Sequence, residues 1–494
     1  MKSIIRSLVI LVAITSFIGC KKYLDVNKSP NSPEDVTEQF LLPSAQASIA
    51  QVNGNYLQIV GGIWGQYWTQ NPNSSQYRNL EQYRPGPESA NNAWTELYAG
   101  ALTDLQKIID KNQIPNYVGI AKILQAYTYQ LLTDNFGPIP FSEALKGETQ
   151  GISSPKYDSQ EEVYNGIIQM VKDGKALLTE EGTPPGVDDF LYGGDVHSWD
   201  KFANTLLLRM YLRLWYVNEP LARQGIMDLE SAGAEYIGDG ETAQIIYSGG
   251  AGNTNPLYSE MVNLNRTQNL IASNTGLGQF LAREDTAGTI DPRIDIFYNI
   301  NGPAYVGLNQ GDYFDNTPRT YSYPGFYVGG TANPPAAATT ITATAPVKFI
   351  SSYESFFLQA EAAVRMGTGD AQALYESGIS ASFAEYKLSD EASSAYLEYY
   401  LSTIASFPAA GGPEEKVEAI ITEKWIAMCG NQNIEAWTEQ RRTGYPDFFV
   451  VSKNTTIGST FPARIPYPET ESTRNLNFPG QKEVTEKVWW DVKD

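Results

Sequence analysis

Two cysteines, one histidine and no run of basic residues are what this 494-residue sequence is short of, and each scarcity closes off some chemistry. Ser/His/Asp or Cys/His catalysis would have to pass through His197, which precedes Ser198 at an expected helix start and suits a structural or surface role better. No HExxH pattern, Cys/His cluster or Gly-rich phosphate loop is present, so no motif calls for a metal or a cofactor. The missing basic run removes a phosphate footprint. With 35 Lys and Arg against 56 Asp and Glu, the net charge of −21 makes nucleic acid a poor partner. Polyanionic polysaccharides are disfavoured at long range for the same reason, and neutral ligands fit best.

What is there begins with a leader. Lys2 and Arg6 precede the apolar run Leu8–Ile18, which Gly19 and Cys20 close. A bilayer span needs about 20 apolar residues, so this run is too short and reads as a signal peptide over residues 1–19. A small residue before a cysteine at that point suggests lipoprotein processing, with Cys20 acylated as the mature N-terminus; the alternative is an ordinary secretory signal with an incidental cysteine. Lys2 and Arg6 leave with the leader, so 33 basic residues then face 56 acidic ones, a mature charge of −23. Acylation of Cys20 leaves Cys429 without an intramolecular partner. In the helical pattern EKWIAMCG (423–430) it reads as a small buried hydrophobe. At 42% hydrophobic and 12% aromatic, the chain can hold itself together by core burial alone.

Apolar periodicity predicts a mostly α protein with two helical regions, about 90–220 and 350–445, flanking an irregular one. Trp94, Leu97, Leu102, Leu105 and Ile108 form a first stripe at helical spacing, and Ile120, Ile123, Leu124, Tyr127 and Leu131 a second after Pro115. Asp158 and Glu161 are spaced as a capping box for a third helix. Ser198 can cap a fourth, which Pro220 should stop. Tyr353 to Val364, Ala371 to Phe383, and Val417 to Met428 repeat the pattern, with NIEAWTEQRR (433–442) following. Helix pairs recurring at this length suggest tetratricopeptide-like packing. Residues 221–352 are instead rich in Gly, Asn, Thr and Tyr, with the low-complexity stretch GGTANPPAAATTITATAP (329–346). So long an irregular stretch is commonly functional, because binding residues favour loops on a rigid scaffold.

Several of these segments occur together in an order that resembles the SusD/RagB family, in particular its SusD-like branch. They are KKYLDVNKSPNSPE (21–34), TDNFGPIPFSEAL (133–145), YDSQEEVYNGII (157–168), SWDKFANTLLLRMYLRL (198–214), DPRIDIF (291–297), SYESFFLQAEAAVR (352–365), EKWIAM (423–428), EAWTEQRRTGYP (435–446) and RIPYPETE (464–471). The resemblance implies one SusD-like binding domain over residues 20–494, helical and tetratricopeptide-like. It also implies a lipid anchor in the outer membrane, facing the cell exterior. The partner would be a SusC-like TonB-dependent β-barrel transporter that the protein covers as a lid. Most relatives of this kind bind oligosaccharides and some bind peptides; they are not enzymes.

Which residues would hold a glycan has to come from the chemistry of sugars. Pyranose rings present flat C–H faces to aromatic rings, and their hydroxyls bond to amides, carboxylates and guanidinium groups. Two segments interleave such residues: 64–86, with Trp68, Asn71, Tyr77, Arg78 and Tyr83, and 311–327, with Tyr313, Asp315, Arg319, Tyr321, Tyr323 and Phe326. For each ring the competing expectation is simple packing of a loop to the helices. A surface glycosidase is the rival reading, since it needs only two well-placed carboxylates. Glu361, on an otherwise apolar helical face, is its best candidate. Its plainer role is as buried partner of a cation such as Arg209 or Arg213. A pure protein scaffold is the third reading. Asp25, Asn27 and Ser29 alternate as at the start of a calcium loop, but the glycine and terminal glutamate of that motif are missing, and a capped turn before Pro30 explains the spacing.

Overall fold

A computed structural model describes residues 36–266, 269–329 and 342–493. The leader, Cys20 and the turn at Asp25 lie outside the described residues, as does most of the low-complexity stretch. The protein is mostly α-helical, as the periodicity predicts. Helices begin earlier than expected, with α1 (Glu38–Gly54) and α2 (Tyr56–Trp64), then the one-turn α3 (Arg78–Glu81) and α4 (Thr103–Lys111). The scaffold continues through α5 (Pro115–Phe136), α6 (Gln160–Lys175), α7 (Val196–Arg213) and α8 (Glu219–Ser231). It closes with α9 (Ser352–Met366), α10 (Ala371–Glu385), α11 (Pro413–Met428) and α12 (Asn433–Thr443). Helix α5 packs against α6, α7 against α8, and α9 against α10 and α11. Helix α12 returns to lie on α2, so the two ends of the scaffold meet.

Local chemistry sets the helix boundaries. Pro115 opens α5, where its missing N–H costs nothing, and Gly137 closes it at φ +85°. The capping box of α6 sits one residue later than the spacing suggested: Ser159 accepts from the Glu162 amide and the Glu162 carboxylate accepts from the Ser159 amide. Helix α7 is capped by Asp195, whose carboxylate accepts from the Ser198 amide; Ser198 itself lies inside the helix. Pro220 does not stop α7 but opens α8, because α7 ends at Arg213 and a short turn follows. The stripe residues Ile120, Ile123, Leu124, Tyr127 and Leu131 are buried. So is nearly all of α5, because α4, α6 and α1 cover it from several sides.

Charges are buried among these helices, and several are held in ion pairs. Glu361 on α9 accepts from both Nη atoms of Arg442 on α12, at 2.8 and 2.6 Å. The buried cation was foreseen, but it is Arg442, assisted by Arg365 at 3.4 Å, and not Arg209 or Arg213. Arg209 instead meets Glu354 at 3.3 Å, and Arg213 meets Asp134 at 3.3 Å together with Glu435 and Glu439. Cys429 is fully buried at the end of α11, and His197 is an exposed residue 3.3 Å from Glu235.

Among the described residues, four two-stranded antiparallel ladders tie loops to this scaffold. In chain order the strands are β1 (Trp68–Gln70), β2 (Ile139–Pro140), β3 (Tyr157–Asp158), β4 (Ala243–Ile245), β5 (Leu270–Ala272), β6 (Tyr298–Asn299), β7 (Tyr323–Pro324) and β8 (Val347–Ile350). Strand β1 pairs with β5, with Trp68 opposite Ala272 and Gln70 opposite Leu270. This ladder joins the first aromatic segment to the irregular region.

Candidate functional site

The two aromatic segments, more than 200 residues apart in sequence, meet on either side of β5. On one edge β5 pairs with β1. On the other, the Ala272 amide donates to Ser322 O at 2.8 Å and the Leu308 amide donates to Ala272 O at 3.0 Å. Ile271, Leu308 and Tyr321 form a small separate hydrophobic cluster there. Beyond that cluster Phe314 and residues 316–320 are exposed. A cavity of about 510 Å³ lies between Pro72 and Asn73 of the first segment and residues 315–321 of the second. Its size falls within the range of small-ligand sites, about 300–1,000 Å³.

Three of the expected residues line this cavity. Arg319 is exposed and pairs with Asp315 at 3.2 Å. The Asp315 carboxyl is held below its ordinary range, chiefly by the hydroxyl and amide of Thr317 at 2.6 and 2.9 Å. Tyr321 is 6% exposed and its hydroxyl has no partner among the described residues. Burial raises its pKa, against the Arg319 charge nearby. Two more stand beside the wall. Asn71 accepts from the Asn73 amide at 2.9 Å, and the half-buried Arg78 donates to Ser74 O and Pro72 O, holding the turn. The Arg78 guanidinium also lies 5.1 Å from the Tyr313 ring and 5.8 Å from that of Phe314.

The other expected rings do not line this cavity. Trp68 has no exposed surface; its indole lies over Gly62, where a Cβ would collide with it. Tyr83 is buried with its hydroxyl accepting from the Ser452 amide at 3.1 Å, and Tyr313 is buried with its hydroxyl accepting from Gln82 at 2.8 Å. Tyr77 and Phe326 are buried too, and the half-buried Tyr323 sits in β7 opposite Asn299, away from the cavity. Packing of the loops, the competing expectation, accounts for these rings. The ring that faces solvent is Phe314, 62% exposed, one residue from the Tyr313 that was singled out. Its neighbours Asp312, Asp315 and Asn316 mark a turn, the one hint in the sequence that this ring and not the next is displaced outward.

A strap that the sequence did not flag, residues 450–456, stitches the two segments together. Gln66, in the left-handed region at φ +63°, donates to Val450 O at 2.7 Å and accepts from the Val450 amide at 3.0 Å. The Thr456 amide donates to Gln82 O at 3.0 Å, the Lys453 amide donates to Gln310 O at 3.0 Å, and Lys453 pairs with Asp312.

A family model named SusD-like, described as starch-binding associating with outer membrane, matches residues 30–468. The chain belongs to the SusD-like family. Solved structures of SusD homologues share its fold. A chitin-binding SusD homologue from Flavobacterium johnsoniae is 23% identical, with 91% of this chain and 99% of that one covered and a TM-score of 0.73. A SusD homologue from Bacteroides uniformis is 22% identical, with 92% and 100% covered and a TM-score of 0.74. A SusD/RagB family protein from Bacteroides thetaiotaomicron is 23% identical, with 93% and 100% covered and a TM-score of 0.74. No curated protein matches the sequence. Among the described residues of this SusD-like chain no helix is long and apolar enough to cross a membrane, and no cluster of His, Cys, Asp and Glu could hold a metal ion.

Proposed function

We propose that this SusD-like protein is a lipid-anchored outer-membrane binding protein that captures a neutral oligosaccharide and passes it, uncut, to a TonB-dependent transporter. The observation that carries this reading is the cavity between Pro72, Asn73 and residues 315–321, with the exposed Phe314 next in the chain to its lining. It combines what a sugar needs: hydroxyls from Thr317 and Thr320, amides from Asn73 and Asn316, and the Asp315–Arg319 pair, with the exposed ring of Phe314 next in sequence to Asp315. Hydroxyl-to-protein bonds replace hydroxyl-to-water bonds at a net gain of about 1 kcal/mol each, so affinity at one such site is modest. The family description and the chitin-binding relative support a polysaccharide-derived ligand. The pairing of Glu361 with Arg442 weakens the glycosidase reading, because a carboxylate held in a buried ion pair is not free to act on a substrate.

The test has three arms. Titration of the mature protein against neutral oligosaccharides, chitin and starch fragments included, should give saturable binding that Arg319→Ala and Phe314→Ala weaken. Chromatography of the glycan after incubation should recover it intact; shortened products would overturn the reading. Fatty-acid labelling in the host should mark the protein, and Cys20→Ser should abolish the label. Binding of peptides with no response to any glycan would move the ligand assignment to the peptide-binding branch.

A further inference from the structure

We infer that Glu81 is a positioning residue for this cavity, a buried carboxylate that joins the stretches leading into its two walls by accepting hydrogen bonds from Gln70 and Gln310. This deepens the binding role proposed above and rests on it for its ligand arm. Glu81 ends α3 and is fully buried. From the first segment the Gln70 amide donates to its Oε1 at 2.8 Å. From Gln310, one residue before the second segment, Nε2 donates to Oε1 and Oε2 at 3.2 and 3.1 Å, while the same amide group reaches Ile63 O and Trp68 O. The Thr69 hydroxyl and the Gly311 amide also face it. The groups around this carboxylate are therefore donors, and no cation among the described residues pairs with it.

The other charged and titratable groups of the surrounding elements differ from it. Asp312 is paired with Lys453 of the strap, and Asp315 with Arg319. Arg78 lies against Tyr313 and Phe314, and burial pushes the Tyr83 phenol far above its ordinary range. Burial likewise drives the Glu81 carboxyl up, to about 7, against the donors from Thr69, Gln70, Gln310 and Gly311. Ionised, Glu81 accepts from Gln70 and Gln310; protonated, it turns one acceptor into a donor facing donors, and the tie slackens. Global stability moves the opposite way. A folded pKa above the ordinary 4.5 favours folding when the group is protonated, and that contribution is lost as pH rises through about 7. A merely structural role would show the second effect without the first.

Hydrogen–deuterium exchange of the full-length protein reads the tie without a ligand. After correction for intrinsic rate, peptides covering 68–71 and 310–313 should lose protection as pH falls from about 8 to about 6, and Glu81→Gln should show the low-pH behaviour throughout. If only the ionised form holds the cavity in shape, affinity for a bound oligosaccharide should be about tenfold weaker near pH 6, and flat with pH in Glu81→Gln. Flat exchange in the wild type, or a Gln variant protected like wild type at pH 8, would overturn the inference. Should Glu81→Gln not fold, Glu81→Asp keeps a carboxyl and must keep the pH dependence of exchange; its absence there counts against the tie. Failure of every glycan to bind would sink the ligand assignment, while the exchange profile would still decide Glu81.

Discussion

At Trp68 the indole is enclosed beneath Gly62, whereas at Phe314, one residue before the cavity-lining Asp315, the ring stands in solvent. The two rings should therefore respond to deletion in opposite ways. Trp68→Ala opens a void in the packed interior and should cost about 3–5 kcal/mol of stability, read as a lower denaturant midpoint. Phe314→Ala removes a solvent-facing ring and should leave stability within about 0.5 kcal/mol. It should instead weaken oligosaccharide binding by about three- to tenfold, the worth of one aromatic contact, measured by calorimetric titration. An unchanged affinity in Phe314→Ala would place the ligand elsewhere. The sequence did place the aromatic-rich segments at the site. It did not distinguish the ring that packs from the ring that protrudes, because Tyr313 and Phe314 differ by one position and their exposure depends on Gln82 and Arg78, far away in the chain.

Between elements, α2 and α12 meet in a close seam. A Cβ at Gly61 would collide with the backbone of Asn433 and Ile434, and nothing there can give way as a flexible side chain would. Gly61→Ala should therefore force the helices apart and cost about 1–3 kcal/mol, visible as a lower melting temperature. The seam between α9 and α12 is ionic. Arg442→Ala would leave Glu361 with only the longer Arg365 contact and take away part of the pairing of Glu439 in the core, at about 3–5 kcal/mol. A well-packed apolar replacement of the whole group could be tolerated, which is why breaking one member is the informative test. At the start of α11, partial burial would raise the Glu414 carboxyl, but Arg365, Tyr216 and Lys493 outweigh it and hold it down at about 2. With the folded value below the ordinary 4.5, this pairing adds stability above that pH. It is lost as pH falls from about 4.5 through about 2. Glu414→Gln should flatten that part of the acid-unfolding profile; an unaltered profile would show that the partners contribute nothing. Helix existence was legible from periodicity, while boundaries such as Asp195 and Ser159 were missed by a few residues because several polar residues nearby could cap.

Over the whole molecule, a net charge of −21 surrounds a cavity whose own charges are paired. Neutral oligosaccharides should then bind with affinity that changes less than about twofold between low and high salt, since no net charge is brought together. Anionic polysaccharides should bind more weakly at low salt and gain as salt screens the repulsion. Titrations at two ionic strengths check this, and an anionic ligand that binds best at low salt would point to a local basic subsite. The family, the helical class and the acidic surface could all be read from the chain alone, because they depend on ordered local segments and on composition. Two things came only with tertiary structure. One is the meeting of segments 64–86 and 311–327 across β5 under the 450–456 strap. The other is the choice of partner for each buried charge. Both depend on contacts between residues up to hundreds of positions apart, and no local pattern of side chains encodes which of several equivalent arginines, or which of two adjacent rings, the fold will bring to a given point.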